Sequence, residues 1–70
     1  MPNTFTAITQ RDGDWWIGWI EEVPGVNCQE STRKELLVSL RETLKEVLEF
    51  NRKEAIESAS SDYTEELLTV

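Results

Sequence analysis

The sequence contains no histidine, and Cys28 is its only cysteine. One cysteine cannot form a disulfide within the chain, and without histidine the usual zinc-binding sets of His and Cys cannot be assembled. A chain of 70 residues buries only about 60% of the surface that its unfolded form exposes, so domains of this size often need a disulfide, a metal or oligomerisation. Because the sequence supplies neither a disulfide nor a usual zinc-binding set, we expect the protein to oligomerise.

Long apolar runs are also missing. The longest is Trp15–Ile20, which is far shorter than the ~20 residues that span a bilayer. The first ten residues have neither the basic region nor the apolar stretch of a signal peptide. We therefore expect a cytoplasmic protein with no membrane contact. Cys28 fits a reducing compartment, although free cysteine more often serves simply as a small buried hydrophobe.

Basic residues are scarce, and the net charge is −7. The first 30 residues carry only Arg11 against several carboxylates, residues 31–57 are balanced, and residues 58–70 are acidic. Phosphate binding depends on clustered Lys and Arg, so this distribution argues against direct binding of nucleic acid and permits a basic protein partner. The alternative is that the acidity serves solubility alone.

The first half of the chain predicts a β-hairpin. Thr4–Gln10 alternates in polarity and is rich in β-branched residues, which is typical of a strand. Arg11–Asp14 follows as the turn, in which Asp12 and Gly13 form a strong hairpin signal because Gly accepts positive φ without steric cost. Trp15–Ile20 then forms the second strand, antiparallel to the first.

The second strand is apolar on both faces. Side chains alternate across a strand, so one face carries Trp15, Ile17 and Trp19, and the other carries Trp16, Gly18 and Ile20. A single helix covers only one sheet face, so the other face needs a second protein surface. Gly18 leaves room for a close approach, but periodicity does not determine which face meets the helix.

A compact reversal follows at Glu21–Gly25, where Pro24 fixes φ and Gly25 can adopt a left-handed conformation. Val26–Glu30 then predicts a short third strand. The three strands form an antiparallel meander.

A long amphipathic helix begins after Thr32, which forms a capping box with Glu35. Its apolar stripe consists of Leu36, Leu37, Leu40, Leu44, Val47 and Leu48. The stripe favours packing on the sheet; a coiled coil is the less favoured alternative because the leucine repeat is short and Asn51 interrupts it. Ala55, Ile56 and Ala59 are compatible with an extension of the helix, and Ser58–Asp62 ends it.

The last segment, Tyr63–Val70, predicts a short fourth strand at Leu67–Val70 that returns to the sheet. The expected fold class is therefore α+β, with the order β-β-β-α-β. We expect one domain over residues 1–70, with one long helix on one face of the sheet.

Four pieces of the chain together resemble the HicB antitoxin-like family. They are Phe5–Ile8, Asp12–Trp19, Glu22–Val26 and the capped helix from Thr32 to Leu44. The family combines an aromatic residue after an Asp-Gly turn, a Pro-Gly reversal and a helix opened by Thr with Glu three residues later. Glu21 departs from the pattern, since Pro often stands there, which leaves the local turn geometry in question.

The resemblance implies a truncated ribonuclease H-like fold without nuclease activity that oligomerises through its sheet. In complete systems such proteins neutralise a small basic RNA-cleaving toxin. Members of the family often carry a DNA-binding segment after this domain; the sequence stops at Val70, so operator binding is not expected.

The residues themselves also argue against catalysis. Ribonuclease H chemistry needs about four carboxylates converging on two metal ions. The strand interiors 5–9 and 15–20 contain no carboxylate, Asp12 and Asp14 are turn formers, and Cys28 has no nearby base to activate it. We therefore expect no catalytic residue, no metal site and no cofactor.

The expected interface with a second copy or a toxin consists of Trp15, Ile17, Trp19, Glu21 and Glu22. For the two glutamates, plain solvation is the alternative. The residues expected to act structurally, in turns and in the helix cap, are Asp12, Gly13, Pro24, Gly25, Thr32 and Glu35. The second functional hypothesis is a structural or regulatory oligomer without a toxin partner.

Overall fold

The computed structural model describes residues 4–70. It consists of strands β1 (Ala7–Asp12), β2 (Trp15–Ile20) and β3 (Asn27–Glu30), followed by helix α1 (Arg33–Glu57). The strands form one antiparallel sheet in the order β1-β2-β3. The α+β class, the meander and the single long helix are thereby confirmed. The prediction of one domain over residues 1–70 extends to Met1–Asn3, which lie outside the described residues.

Strand β1 begins three residues later than predicted and ends two residues later. Asp12 pairs with Trp15, so the hairpin turn contains only Gly13 and Asp14. Gly13 has a φ of +62°, and Asp14 has a negative φ. Positive φ at the first of two turn residues is the pattern of a type II′ turn, which requires Gly at that position.

The prediction of a fourth strand at Leu67–Val70 is wrong. No regular secondary structure follows α1. Helix α1 ends at Glu57 with Ser58 as its C-cap, whose N–H donates to the carbonyl of Glu54 at 2.9 Å. Arg52 then pairs with Glu65 at 3.1 Å, which holds the segment beside the end of the helix. Residues 59–70 are exposed and make no sheet contact that would order them as a strand.

The start of α1 has the cap that the sequence predicts. The Thr32 hydroxyl accepts a hydrogen bond from the Glu35 N–H at 3.1 Å. The Glu35 carboxylate does not reach the Thr32 backbone as in the usual capping box; it accepts bonds from the hydroxyls of Thr32 (2.9 Å) and Ser31 (3.0 Å). These contacts fix the entry of the chain into the helix, where only Ser31 and Thr32 separate the end of β3 from the start of α1.

The core lies between α1 and one face of the sheet. Its buried residues are Ile20, Val23, Val26, Leu36 and Leu40, and the partly buried residues packed against them are Phe5, Trp16, Cys28, Leu44, Val47 and Leu48. The leucine stripe therefore packs on the sheet within its own chain, and α1 contacts β2 and β3 more than β1. Ser39 donates to Glu30 at 2.6 Å, which ties the helix to β3.

Gly18 is the point of closest approach between the sheet and the helix. A Cβ atom at this position would lie 3.1 Å from Leu36 Cδ2 and from Leu40 Cδ1, and 2.8 Å from the carbonyl oxygen of Ile8. The face of β2 that meets the helix is therefore the one with Trp16, Gly18 and Ile20. This settles the choice that periodicity left open.

Candidate interaction surface on the open sheet face

The face of the sheet opposite α1 has no covering element within residues 4–70. Cross-strand register and side-chain alternation assign its members, which we call the open face: Ile8, Gln10, Asp12, Trp15, Ile17, Trp19, Asn27 and Gln29. Every predicted aromatic and aliphatic interface residue, Trp15, Ile17 and Trp19, belongs to this set. The structure thus brings them together on one surface.

An apolar ridge runs along the middle of the open face. Trp15 is 48% exposed, Trp19 is 36% exposed, and Ile17 is half-buried between them. Ile8 on β1 lies directly opposite Trp19 and widens the ridge. Amide side chains flank it, with Gln10 on one side and Gln29 on the other, both paired with Ile17. An apolar centre with a polar rim is the usual arrangement of a protein interaction surface.

The charged groups near the open face are acidic. Asp12 lies opposite Trp15 at one end of the ridge, and Glu21 follows β2 at the other. Arg11 is directed to the helix side, because it pairs with Trp16 and its guanidinium lies 5.7 Å from the centre of that ring. The Arg11 Nε also donates to the Gly13 carbonyl at 3.0 Å. The one cation of the hairpin therefore supports the turn and does not neutralise the open face.

Glu22 has a structural partner that the sequence did not reveal. Its carboxylate accepts hydrogen bonds from the N–H and the hydroxyl of Thr6, both at 2.7 Å. The backbone bond and then the hydroxyl bond lower the pKa of Glu22 from its ordinary value. Together with the bond from the Glu21 N–H to the Thr6 carbonyl at 2.9 Å, this clamps the start of β1 to the Pro-Gly reversal. The contact spans 16 positions in sequence, and no short-range pattern predicts it.

The predicted turn residues occupy the expected places. Gly25 has a φ of +93°, which suits Gly after Pro24 in the reversal between β2 and β3. The reversal is closed by the bond from the Ile20 N–H to the Val26 carbonyl at 3.2 Å. Asp12 is the exception, because it ends β1 and does not lie inside the turn.

Polar chemistry elsewhere in the described chain is sparse. Among residues 4–70, no group of three or more His, Cys, Asp or Glu side chains is arranged to hold a metal ion. Cys28 is half-buried on the helix side of β3, with its Sγ 3.5 Å from the Thr43 hydroxyl. Across the same residues, the search for a helix long and apolar enough to cross a membrane found no candidate.

A second apolar surface lies between β1 and α1, where the helix leans towards β3. It is a groove of about 410 Å³, lined by Thr4, Phe5, Ala7, Ile20, Leu37, Leu40, Arg41 and Leu44. Leu37 belongs to the predicted leucine stripe but is 36% exposed, because it faces this groove and not the centre of the core. Sequence periodicity missed the groove, since it does not fix how the helix is offset across three strands.

Comparison of the chain with protein-family models found no match, and comparisons with curated proteins and with solved structures found none either. The fold defines a small α+β protein with one covered and one open sheet face. The likeness to the HicB antitoxin-like family rests on the motifs of the chain itself.

Proposed function

We propose that this protein is a non-catalytic, HicB-like antitoxin-type protein that self-associates through its sheet and neutralises a small basic RNA-cleaving toxin. The observation that carries the proposal is the open face. Its apolar ridge of Trp15, Ile17 and Trp19 lies beside acidic groups, with the only hairpin cation directed to the opposite side.

The ridge supports a protein partner in preference to a small molecule. Its side chains lie on an open sheet face, where two exposed tryptophans offer large contact areas. Trp is among the residue types enriched at binding hot spots. Contiguous apolar surface of this kind is rarely left uncovered on a soluble monomer. A second copy and a toxin are both chemically suited to it.

Charge supports a basic partner. The chain carries a net charge of −7, and Asp12, Asp14 and Glu21 lie near the ends of the open face. Such an arrangement accelerates the encounter with a basic protein and repels phosphate, so the proposal includes no direct binding of nucleic acid. We further propose a cytoplasmic location, where an RNA-cleaving partner acts.

The alternative is a structural or regulatory oligomer without a toxin. The same ridge supports it, since self-association alone would cover the apolar side chains. The two proposals differ in what occupies the acidic ends of the face.

The test measures self-association and partner binding on the same variants. Light scattering at micromolar concentration should give a multiple of 8.1 kDa for the parent protein. If a small basic protein is encoded beside this one, it is expressed as the candidate toxin. Its binding kinetics with this protein are then measured, and its cleavage of RNA is followed with and without this protein. The variants are Trp15→Ala, Trp19→Ala and Glu21→Lys.

Phe50→Ala is the matched control, because Phe50 is an aromatic residue that is 59% exposed on α1, away from the open face. We expect the Trp variants to dissociate faster from the toxin and Glu21→Lys to associate more slowly, while Phe50→Ala behaves like the parent. Loss of self-association alone in the Trp variants would assign the ridge to the homomeric contact. A parent that binds no basic partner would refute the antitoxin proposal in favour of the oligomer, and a monomer at all concentrations would refute both.

A further inference from the structure

Two unpaired features of the chain complement each other. One is the outer edge of β1, whose only partner in the described sheet is β2. The other is the segment Leu67–Val70, in which Leu67 is 84% exposed and Leu68 is 85% exposed. An uncovered strand edge is a template for pairing with another chain, and an exposed apolar segment rich in β-forming residues is suited to pair with it.

We propose that Leu67–Val70 of one copy adds as a fourth strand to the outer edge of β1 in a second copy, where it closes the groove between β1 and α1. The exchange is reciprocal, so each copy donates one segment and accepts another, as in a twofold dimer. This surface is distinct from the open face, and the proposal does not depend on a toxin partner.

The groove has the chemistry of a strand acceptor. Ala7 forms part of its floor at the edge of β1, and Leu37 and Leu44 of the helix form the opposite wall. A strand placed beside β1 would direct alternate side chains into the groove and onto the open face. Leu68 and Val70 would enter the groove, and Leu67 would lie beside Ile8, which is exposed on the open face.

In the single chain the segment does not occupy the groove. None of the residues 59–70 lines it, and Leu67 and Leu68 are 84% and 85% exposed. The pair between Arg52 and Glu65 instead places the segment beside the later turns of α1. The groove and the apolar segment of each copy are therefore both open to their counterparts in a second copy.

The path to a second copy is open. Residues 59–66 are exposed and have no regular structure. The side chains of the pair between Arg52 and Glu65 are 64% and 57% exposed, so the segment can extend away from the helix once this surface pair opens. Eight residues span up to ~28 Å when extended, which exceeds the two shorter extents of the molecule, 23 Å and 15 Å. The linker is acidic and polar, as expected of a connection that remains in solvent.

Cross-linking between chains tests the proposal directly. Cys28→Ser serves as the background, and single cysteines are introduced as Ala7→Cys in one preparation and Leu68→Cys in another. The two preparations are mixed and treated with a short bismaleimide. We expect a covalent product containing one chain of each kind. Val38→Cys is the matched control for the acceptor, because Val38 is 53% exposed on α1 outside the groove, and it should give no product with Leu68→Cys.

The double variant Ala7→Cys/Leu68→Cys distinguishes exchange from docking within one chain. A product that is only intramolecular, with no link between the mixed single variants, would overturn the proposal, and so would the absence of any link. A second measurement compares Leu37→Glu with Val38→Glu by light scattering. Leu37→Glu should weaken self-association at least tenfold and Val38→Glu should not; equal effects would contradict the exchange. Neither result depends on whether the protein binds a toxin.

Discussion

The carboxylate of Glu22 accepts two hydrogen bonds from Thr6, one from its N–H and one from its hydroxyl, each 2.7 Å long. This contact joins the residue before β1 to the reversal after β2. The sheet ladder between β1 and β2 ends at Ala7 and Ile20, so the side chain of Glu22 continues the pairing where the backbone ladder stops. Bonds to a charged acceptor are stronger than those between neutral groups.

Replacing Glu22 by Gln should remove a pH-dependent part of the stability. Because the pKa of Glu22 is lowered in the folded state, folding favours the ionised form. Its contribution is fully present above the ordinary pKa of 4.5 and is lost as the pH falls through the lower folded-state pKa. Urea unfolding between pH 7 and pH 3 should therefore show a smaller loss of stability on acidification for Glu22→Gln than for the parent.

Glu21→Gln is the charge-matched control for this experiment. It removes the same charge one position earlier and leaves the contact with Thr6 intact. Identical pH profiles for the two variants would show that the Thr6 contact does not contribute to the pH dependence of stability.

Gly18→Ala should destabilise the protein by ~1–3 kcal/mol, the usual cost of overpacking a core. The new methyl group would meet Leu36 and Leu40 at 3.1 Å and the Ile8 carbonyl oxygen at 2.8 Å. The free energy of unfolding in urea measures this cost. In a double-mutant cycle, Leu40→Ala should relieve part of it, so that the two changes are not additive.

Gly13→Ala is the control for conformational strain without overpacking. A Cβ atom at Gly13 has no neighbour within 4 Å, but its φ is +62°. Its cost should therefore add to that of Leu40→Ala. Additivity for Gly18→Ala as well would contradict the proposed contact between Gly18 and the helix.

Thr32→Ala should cost ~1 kcal/mol, the typical value for loss of an N-cap. The Glu35 N–H would lose its acceptor, and the Glu35 carboxylate would lose the Thr32 hydroxyl but retain Ser31. Thr32→Ser keeps the hydroxyl and should restore most of the stability in thermal or urea unfolding. A serine variant as unstable as the alanine variant would argue against the cap.

The protein should not cleave RNA or an RNA–DNA hybrid in the presence of Mg²⁺ or Mn²⁺. The strand interiors offer no carboxylate for two-metal chemistry, and Asp12 and Asp14 lie at the hairpin tip. Gel analysis of both substrates after prolonged incubation tests this. Cleavage that disappears in Asp12→Asn or Asp14→Asn would refute the non-catalytic proposal.

Local signals in the sequence predicted the elements well. The extent of β2 was predicted to the residue, because turn formers bound the run Trp15–Ile20 on both sides. The cap at Thr32 was predicted because it involves residues only three positions apart. The predicted start of β1 at Thr4 was wrong, because the ladder with β2 begins at Ala7. Thr6 instead bonds to the side chain of Glu22, 16 positions away, and short-range patterns do not show this contact.

The features that the sequence did not predict depend on contacts between residues far apart in the chain. Alternation divided the tryptophans correctly between two faces, but only the fit of Leu36 and Leu40 against Gly18 decides which face the helix covers. Leu37 was assigned to the stripe, yet the offset of α1 towards β3 leaves it in the groove. The apolar character of Leu67–Val70 suggested a strand, whereas the sheet of the single chain does not pair with it.

The length of α1 has a consequence for how the molecule melts. Its core contacts end at Leu48, and the nine residues from Glu49 to Glu57 continue beyond them. Isolated helices shorter than ~12–15 residues are marginal in water, so we expect these last turns to open locally without global unfolding. Their amide protons should exchange well before those of Leu36–Leu44. Helical ellipticity should accordingly decline on warming before the tryptophan fluorescence changes, since all three tryptophans lie in β2. The two signals would give different midpoints for one protein.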